Sequence, residues 1–253
     1  MTPDPYTAVA ALIDRGSVLL ATDFDGVLAP LVLDPMTSRP VPGAVDALVE
    51  LAGDRRVHVA VVSGRDLGTL AILTGLPVDG PVTLVGSHGG EVGGAGPGRP
   101  LTPVQADLLR SLHAELAAVA EAHPGSRLEA KPLAVALHTR GLPEATAAAA
   151  AAAAQEVGRR QGVTTKHGKC VVELAVSAAD KGSAVVGLAE AVGAEAIAYV
   201  GDDITDEDVF DRLSPGDVGI RVGPGPSAAT HRLPDEDAVA ELLARLVAHV
   251  RGR

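Results

Sequence analysis

Basic residues are in short supply: 21 Lys and Arg stand against 32 Asp and Glu, a formal charge of -11. Nonspecific grip on nucleic acid or on an anionic membrane rests on basic surface, so both are excluded as general functions. An anionic substrate must then be met by a local basic pocket. Cys170 is the single cysteine, which rules out an internal disulfide and suits a reducing cytoplasm. No apolar span is long enough to cross a membrane, and no signal-peptide pattern opens the chain, where Asp4 and Asp14 interrupt the apolar residues. These absences predict a soluble cytoplasmic protein. With two Phe, two Tyr and no Trp beside 29 Gly and 18 Pro, the composition is biased, and the bias carries no function. A chain of 253 residues allows one large domain or two smaller ones.

What is present is organised around Thr22-Asp23-Phe24-Asp25-Gly26-Val27-Leu28, which follows the apolar run Ser17-Val18-Leu19-Leu20-Ala21. An unbroken apolar run bounded by turn chemistry reads as a strand buried on both faces, so two carboxylates are delivered at its C-terminal end. Crowded carboxylates raise each other's pKa unless a cation neutralises them, and a hard divalent ion with oxygen ligands answers that need. Asp-Gly after a strand is also an ordinary turn signal, and the rest of the chain has to decide.

A lead-in helix is expected over 5–16, and Val45, Leu48 and Leu51 recur at helical spacing within 43–52. The run Val57 to Val62 ends in Ser63-Gly64-Arg65, a helix follows over 66–74, and Val82 to Gly86 ends in Ser87-His88-Gly89-Gly90-Glu91. Strands alternating with helices imply a parallel sheet with right-handed crossovers, and ligands in such sheets bind beyond the carboxyl ends of the strands. The Gly- and Pro-rich stretch from Gly93 to Pro103 reads as a connector. Beyond it the simple alternation stops: a helix over 103–122, extended segments within 127–140, a helix over 143–161 through the alanine run 147–154, and extended chain over 163–176. From Asp180-Lys181-Gly182 a helix runs to Val192, and the strand Ala196 to Val200 ends in Gly201-Asp202-Asp203-Ile204-Thr205-Asp206-Glu207. A short helix to Leu213, a strand over 218–222 and a last helix over 235–250 complete the chain. The expected architecture is α/β, a Rossmann-like parallel-sheet core (1–102 and 177–253) carrying an inserted α+β unit (103–176).

Such a sheet brings Asp23 with Asp25, Ser63 with Gly64, and Asp202, Asp203 and Asp206 to one edge, and Lys181 opens a helix beside it. Separately each has a plain reading, as a turn, a solvated lysine or a helix cap. Jointly they collect acids for a metal with a hydroxyl and an ammonium for an anion.

With these residues the chain resembles the haloacid dehalogenase (HAD) superfamily of phosphotransferases. Asp23-x-Asp25-Gly26, Val61-Val62-Ser63-Gly64, Lys181 and Gly201-Asp202-Asp203 match its four motifs. More narrowly it is similar to the trehalose-6-phosphate phosphatases, through Val62-Ser63-Gly64-Arg65, His88-Gly89 with Glu91, Glu129-x-Lys131, Ala136-Leu137-His138-Thr139-Arg140, Gly168-Lys169-Cys170-Val171-Val172-Glu173 and Gly201-Asp202-Asp203-Ile204-Thr205-Asp206-Glu207. The resemblance spans nearly the whole chain. One departure is Val27, at a position where that family has Thr, which removes a hydroxyl near the site.

The resemblance implies hydrolysis of a sugar phosphate through an aspartyl phosphate on Asp23, with Asp25 alternating as acid and base. It implies Mg2+ on Asp23, the Asp25 carbonyl and Asp202, with Asp203 and Asp206 behind them, and Ser63, Gly64 and Lys181 on the phosphate. Sugar contacts fall to Arg65, His88, Glu129, Lys131, His138, Arg140, Lys169 and Glu173, most of them on the insert as a substrate lid. Period two puts Glu129 with Lys131, His138 with Arg140, and Lys169 with Glu173 on shared strand faces, and Pro132 accounts for the change of parity between the first two pairs. The same charges would serve as a solvated sheet face with cross-strand ion pairs. His138 reads as substrate-facing or structural, and Cys170, at opposite parity to Lys169 and Glu173, reads as core. Alternatives are another sugar phosphatase, of the sucrose-phosphate type, and a noncatalytic sugar-phosphate sensor partnered with a trehalose-phosphate synthase. Gly93-Gly94-Ala95-Gly96 follows no strand and opens no clear helix, so dinucleotide binding is not indicated, and neither zinc spacing nor a Walker loop is present.

Overall fold

The structure, a computed structural model, describes residues 4–94, 101–131, 133–168, 170–176 and 180–253. Those up to 94 and from 180 onward form one compact unit, and residues 101–176 form a second.

The first unit begins with helix α1 (Pro5–Arg15), whose first turn carries proline and whose Thr7 amide donates to the Asp4 carboxylate. There follow β1 (Val18–Thr22), α2 (Ala44–Leu51), β2 (Val57–Val62), α3 (Leu67–Thr74), β3 (Val82–Gly86) and the short β4 (Glu91–Val92). The second unit holds α4 (Pro103–Ala122), β5 (Arg127–Ala130), β6 (Ala134–His138), α5 (Glu144–Val157), β7 (Thr164–Gly168) and β8 (Val171–Ala175). The chain then returns to the first unit with α6 (Lys181–Val192), β9 (Ala196–Gly201), α7 (Ile204–Phe210), β10 (Val218–Val222), β11 (His231–Leu233) and α8 (Glu236–Arg251).

The first unit is a mixed α/β structure on a sheet of order β11-β10-β9-β1-β2-β3-β4, parallel throughout except for β4 against β3. Every residue of β1 is buried, which is why its sequence is apolar without alternation. Val18 and Leu20 pack on one side with Ile13 of α1, Leu48 of α2 and Leu243 of α8. Leu19 and Ala21 pack on the other with Val185 of α6 and Tyr199 and Phe210. The register sets Thr22 opposite both Val61 of β2 and Val200 of β9. The loops that leave these three strands therefore open at one level, on one edge.

The second unit is an antiparallel sheet of order β5-β6-β8-β7 with α4 and α5 on one face. Leu128, Val135, Leu137, Val172 and Leu174 form that face and meet Leu112 and Leu116 of α4. Within the alanine helix α5, Ala150 and Ala154, one turn apart, are fully buried against the sheet. The helix ends at Val157, short of Gln161, with Gly158 as its C-cap; a Cβ on Gly158 would come within 2.4 Å of Thr165 Oγ1.

One expectation is overturned. Cys170 is exposed, in a left-handed backbone conformation (φ 64) within the tight connection between the paired residues Gly168 and Val171. Strand parity does not carry through a two-residue hairpin turn, so counting from Glu173 gave the wrong environment. Pro132 and Lys169 lie outside the described residues. Among the described residues no helix is long and apolar enough to cross a membrane.

Leu20→Ala should destabilise the first unit by about 2–5 kcal/mol, since the side chain is wholly enclosed between strand and helices. Urea unfolding followed by circular dichroism reads this, and a loss below about 1 kcal/mol would contradict the packing described.

Candidate active site

Asp23 is the first residue beyond β1, and its amide still donates to the Val200 carbonyl of β9 at 2.8 Å. Its carboxylate thus leaves the sheet edge on a backbone that the sheet holds, with the Phe24 amide donating to Oδ1 at 2.6 Å. Lys181 opens α6, whose start is fixed by a capping box between Asp180 and Ser183. From there the ammonium reaches Asp23 Oδ2 at 2.6 Å and Asp206 Oδ1 at 2.8 Å, with the lysine side chain only 2% exposed. The two segments lie far apart in sequence, and the sheet topology alone joins them.

Asp206 is completely buried and accepts from four donors. Oδ1 takes the Lys181 ammonium and the Tyr199 hydroxyl at 2.6 Å, while Oδ2 takes the amides of Asp202 and Asp203 at 2.8 and 3.0 Å. It sits in the first turn of α7, which Asp203 caps, so it braces the loop that presents Asp202. Tyr199 was not singled out in the sequence. The available signal is that one of only two tyrosines lies in an otherwise aliphatic strand just before Gly201-Asp202-Asp203.

Oxygens of Asp23, Asp202 and Asp206 lie within 4.8 Å of one another. Asp206 has no acceptor capacity to spare, whereas Oδ1 of Asp202 is buried without a hydrogen-bond partner. Burial, then the Asp206 and Asp203 carboxylates, push the Asp202 carboxyl up to about 7. Burial also pushes Asp23 well above the usual carboxylate range against the pull of Lys181, and Asp206 adds to the push. For Lys181 burial works against the charge, but Asp23, Asp206 and Asp203 outweigh it and hold the ammonium above the ordinary lysine value. Tyr199 is driven up by burial and by Asp206, so it remains a donor. One ammonium among four acids leaves the edge short of positive charge, and the orphaned oxygen of Asp202 beside Asp23 fits a hard divalent cation. Gly26 makes room for that oxygen pair. Its φ is +73, and a Cβ on it would meet Asp202 Oδ2 at 2.2 Å.

Ser63 leaves β2 as Asp23 leaves β1, its amide donating to the Val85 carbonyl, and it is buried. A Cβ on Gly64 would lie 2.6 Å from the His88 ring, so the glycine is what lets His88 sit against this loop. Ser87 and His88 both hold left-handed backbone (φ 50 and 55), and the turn is tied down by Glu91, which accepts from Ser87 Oγ and from the Leu67 amide. Asp25 is engaged by Arg65 and, at 3.4 Å, by Ser38 Oγ. Val27 is wholly buried in the apolar core.

In the second unit the face away from α4 and α5 carries the charges. Lys131 donates to Glu173, and His138 is 2.7 Å from Glu129. Arg127 lies opposite His138 and Glu129 opposite Ala136, so odd positions of β5 and even positions of β6 share this face. Arg140 is exposed beyond the end of β6.

Because the folded pKa of Asp202 lies above its unfolded value near 4, its favourable contribution is complete below about pH 4 and is lost as the pH rises through about 7. At pH 8, cation-free Asp202→Asn should therefore melt above cation-free wild type. A divalent cation held there should raise the wild-type Tm, by the equivalent of about 2.7 kcal/mol at a hundredfold excess over Kd, and the variant's much less. Equal increments in both would remove Asp202 from the cation site. Tyr199→Phe leaves Asp206 one donor short and should cost about 1–2 kcal/mol in the same assay.

A family model described as trehalose-phosphatase matches residues 21–237. A trehalose-phosphate phosphatase of Mycobacterium marinum is 33% identical over 242 residues, covering 90% of this chain and 61% of that protein. An uncharacterized glycosyl hydrolase of Mycobacterium tuberculosis is 34% identical over 257 residues, covering 95% of this chain but 19% of that protein. The chain thus spans less than two thirds of the length of these relatives. In fold it is similar to Aspergillus fumigatus trehalose-6-phosphate phosphatase, with a TM-score of 0.72 at 23% identity over 96% of this chain and 97% of that one. The match over residues 21–237 takes in the whole second unit, most of the first and every acid, hydroxyl and amine gathered at the sheet edge, and the chain belongs to the trehalose-phosphatase family.

Proposed function

We propose that this chain is a magnesium-dependent phosphatase of the HAD superfamily that hydrolyses trehalose 6-phosphate to trehalose and phosphate. The observation that carries the reading is Asp23, held 2.6 Å from the buried ammonium of Lys181, with an unpartnered oxygen of Asp202 in the same cluster. A nucleophilic carboxylate has to approach an anionic ester, and it does so here with cationic charge supplied by the protein on one side and room for a cation on the other.

Asp23 attacks phosphorus and becomes an aspartyl phosphate as the sugar oxygen departs. Asp25 protonates that oxygen and later takes the proton of the water that hydrolyses the intermediate. Lys181 and the Ser63-Gly64 turn hold the phosphoryl oxygens, where positioning and electrostatics supply most of the catalysis. Asp23, the Asp25 carbonyl and Asp202 would hold magnesium, which supplies charge screening between nucleophile and phosphate. Asp203 and Asp206 fix the loop behind them. The inserted unit, drawn at 103–176, is the substrate lid, and its charged face, with Glu129, Lys131, His138 and Glu173, supplies hydrogen-bonding groups for a disaccharide. Arg140, Lys169 and His88 complete that assignment, and Arg65 borders the same site through Asp25. A reducing cytoplasmic setting and a partnership with a trehalose-phosphate synthase belong to the same proposal. Retention of Asp23, Asp25, Lys181 and Asp202 speaks for turnover and against a noncatalytic sensor.

Phosphate release from trehalose, sucrose and glucose 6-phosphates, with and without magnesium, tests this directly. The expected result is a clear preference in kcat/KM for trehalose 6-phosphate, dependence on the metal, and loss of at least about a thousandfold in Asp23→Asn. Preference for another sugar would overturn the substrate, and turnover unchanged in Asp23→Asn would overturn the nucleophile.

A further inference from the structure

Arg65 was expected on the substrate, yet one edge of its guanidinium is engaged by Asp25. Nε donates to Oδ2 at 2.6 Å and an Nη to Oδ1 at 2.7 Å, so the two groups meet as a fork on both carboxylate oxygens. A single contact leaves a carboxylate free to turn about its last bond, whereas a forked pair fixes its plane. Arg65 is itself held in place. Its amide donates to Ser63 Oγ at 3.2 Å, its guanidinium carbon lies 5.7 Å from the centre of the Phe24 ring, and its side chain is 13% exposed. The meeting follows from topology: with Thr22 opposite Val61, the loops leaving β1 and β2 run side by side.

We propose that Arg65 acts through Asp25 and not on the substrate: it is a positioning residue that fixes the plane of the acid–base carboxylate. The inference rests on the phosphatase reading above. In that reaction the bond from phosphorus to the sugar oxygen breaks as the Asp23–phosphorus bond forms, and the departing oxygen takes the proton of Asp25. Water then attacks phosphorus, its proton passes to Asp25, the bond to Asp23 breaks, and phosphate leaves. Both transfers use one carboxylate at one place, so its orientation is what a forked arginine controls. In that reading Lys181, Ser63 and the cation serve the phosphate, while the Nε and Nη edge of Arg65 is engaged by Asp25.

The test compares wild type, Arg65→Gln, Arg65→Lys, Asp25→Asn and the double variant Arg65→Gln/Asp25→Asn, all with magnesium. Two substrates are used: trehalose 6-phosphate, whose leaving oxygen needs a proton, and p-nitrophenyl phosphate, whose leaving group does not. Arg65→Gln should lower kcat/KM about 30-fold or more on the sugar phosphate but less than about threefold on the aryl phosphate, within the range general acid catalysis supplies. Inhibition by inorganic phosphate should stay within about twofold. Arg65→Lys should recover part of the loss, and adding Arg65→Gln to Asp25→Asn should cost nothing further on the sugar phosphate. Equal losses on both substrates with weaker phosphate inhibition would place the guanidinium on the phosphate and overturn the proposal, as would additive losses in the double variant or no loss at all. Thermal melts of each variant identify those that fail to fold, and the double-variant cycle is then read from Arg65→Lys. Wild type inert on both substrates would instead mark failure of the phosphatase reading.

Discussion

The first unit depends on one buried charge cluster: the Lys181 ammonium between Asp23 and Asp206. Taking an ammonium out of water costs several kcal/mol, and only close, well-directed carboxylates offset it. Here they do, and the consequence reaches past stability. Lys181 stays charged, Asp23 is aimed, and the α7 loop is braced through Asp206. Removal of one partner would strand the others in a place without water, so these residues hold each other to their positions.

The parallel register makes this possible. Strands β9, β1 and β2 end level with one another, and the residues just past their ends inherit that alignment. Each loop then departs in its own way: Gly26 turns left-handed under Asp202, Gly64 gives way to His88, and Asp203 starts a helix at once. Sheet hydrogen bonds reach into the site through the amides of Asp23 and Ser63, which still donate to neighbouring strands. Chemistry of this kind needs fixed groups, and the sheet fixes them.

The second unit divides its labour by strand alternation. One face is apolar and packs on α4 and on the buried alanines of α5; the other carries Glu129, Lys131, His138 and Glu173 in cross-strand pairs. Such pairs on a partly exposed face contribute little to stability, typically under 1 kcal/mol each. Arg127, opposite His138, and Lys166, opposite Glu173, add to the charges on that face.

Periodicity and turn chemistry made most of the elements legible, because a strand buried on both faces and a helix buried on one leave different apolar patterns. The gathering of Asp23, Ser63, Lys181 and Asp202 was legible too, since strand ends in a parallel sheet share an edge. Cys170 is exposed, not core, because alternation stops at a hairpin turn. Tyr199, Ser38 and the Arg65–Asp25 fork were not legible: hydrogen-bond partners depend on distances of a few tenths of an ångström between segments far apart in the chain. The sequence by itself determined which chemical groups stand at the ends of which strands. Only the tertiary structure decided which of them touch, because register, glycine-permitted close approach and side-chain direction are properties of the folded neighbours and not of the chain.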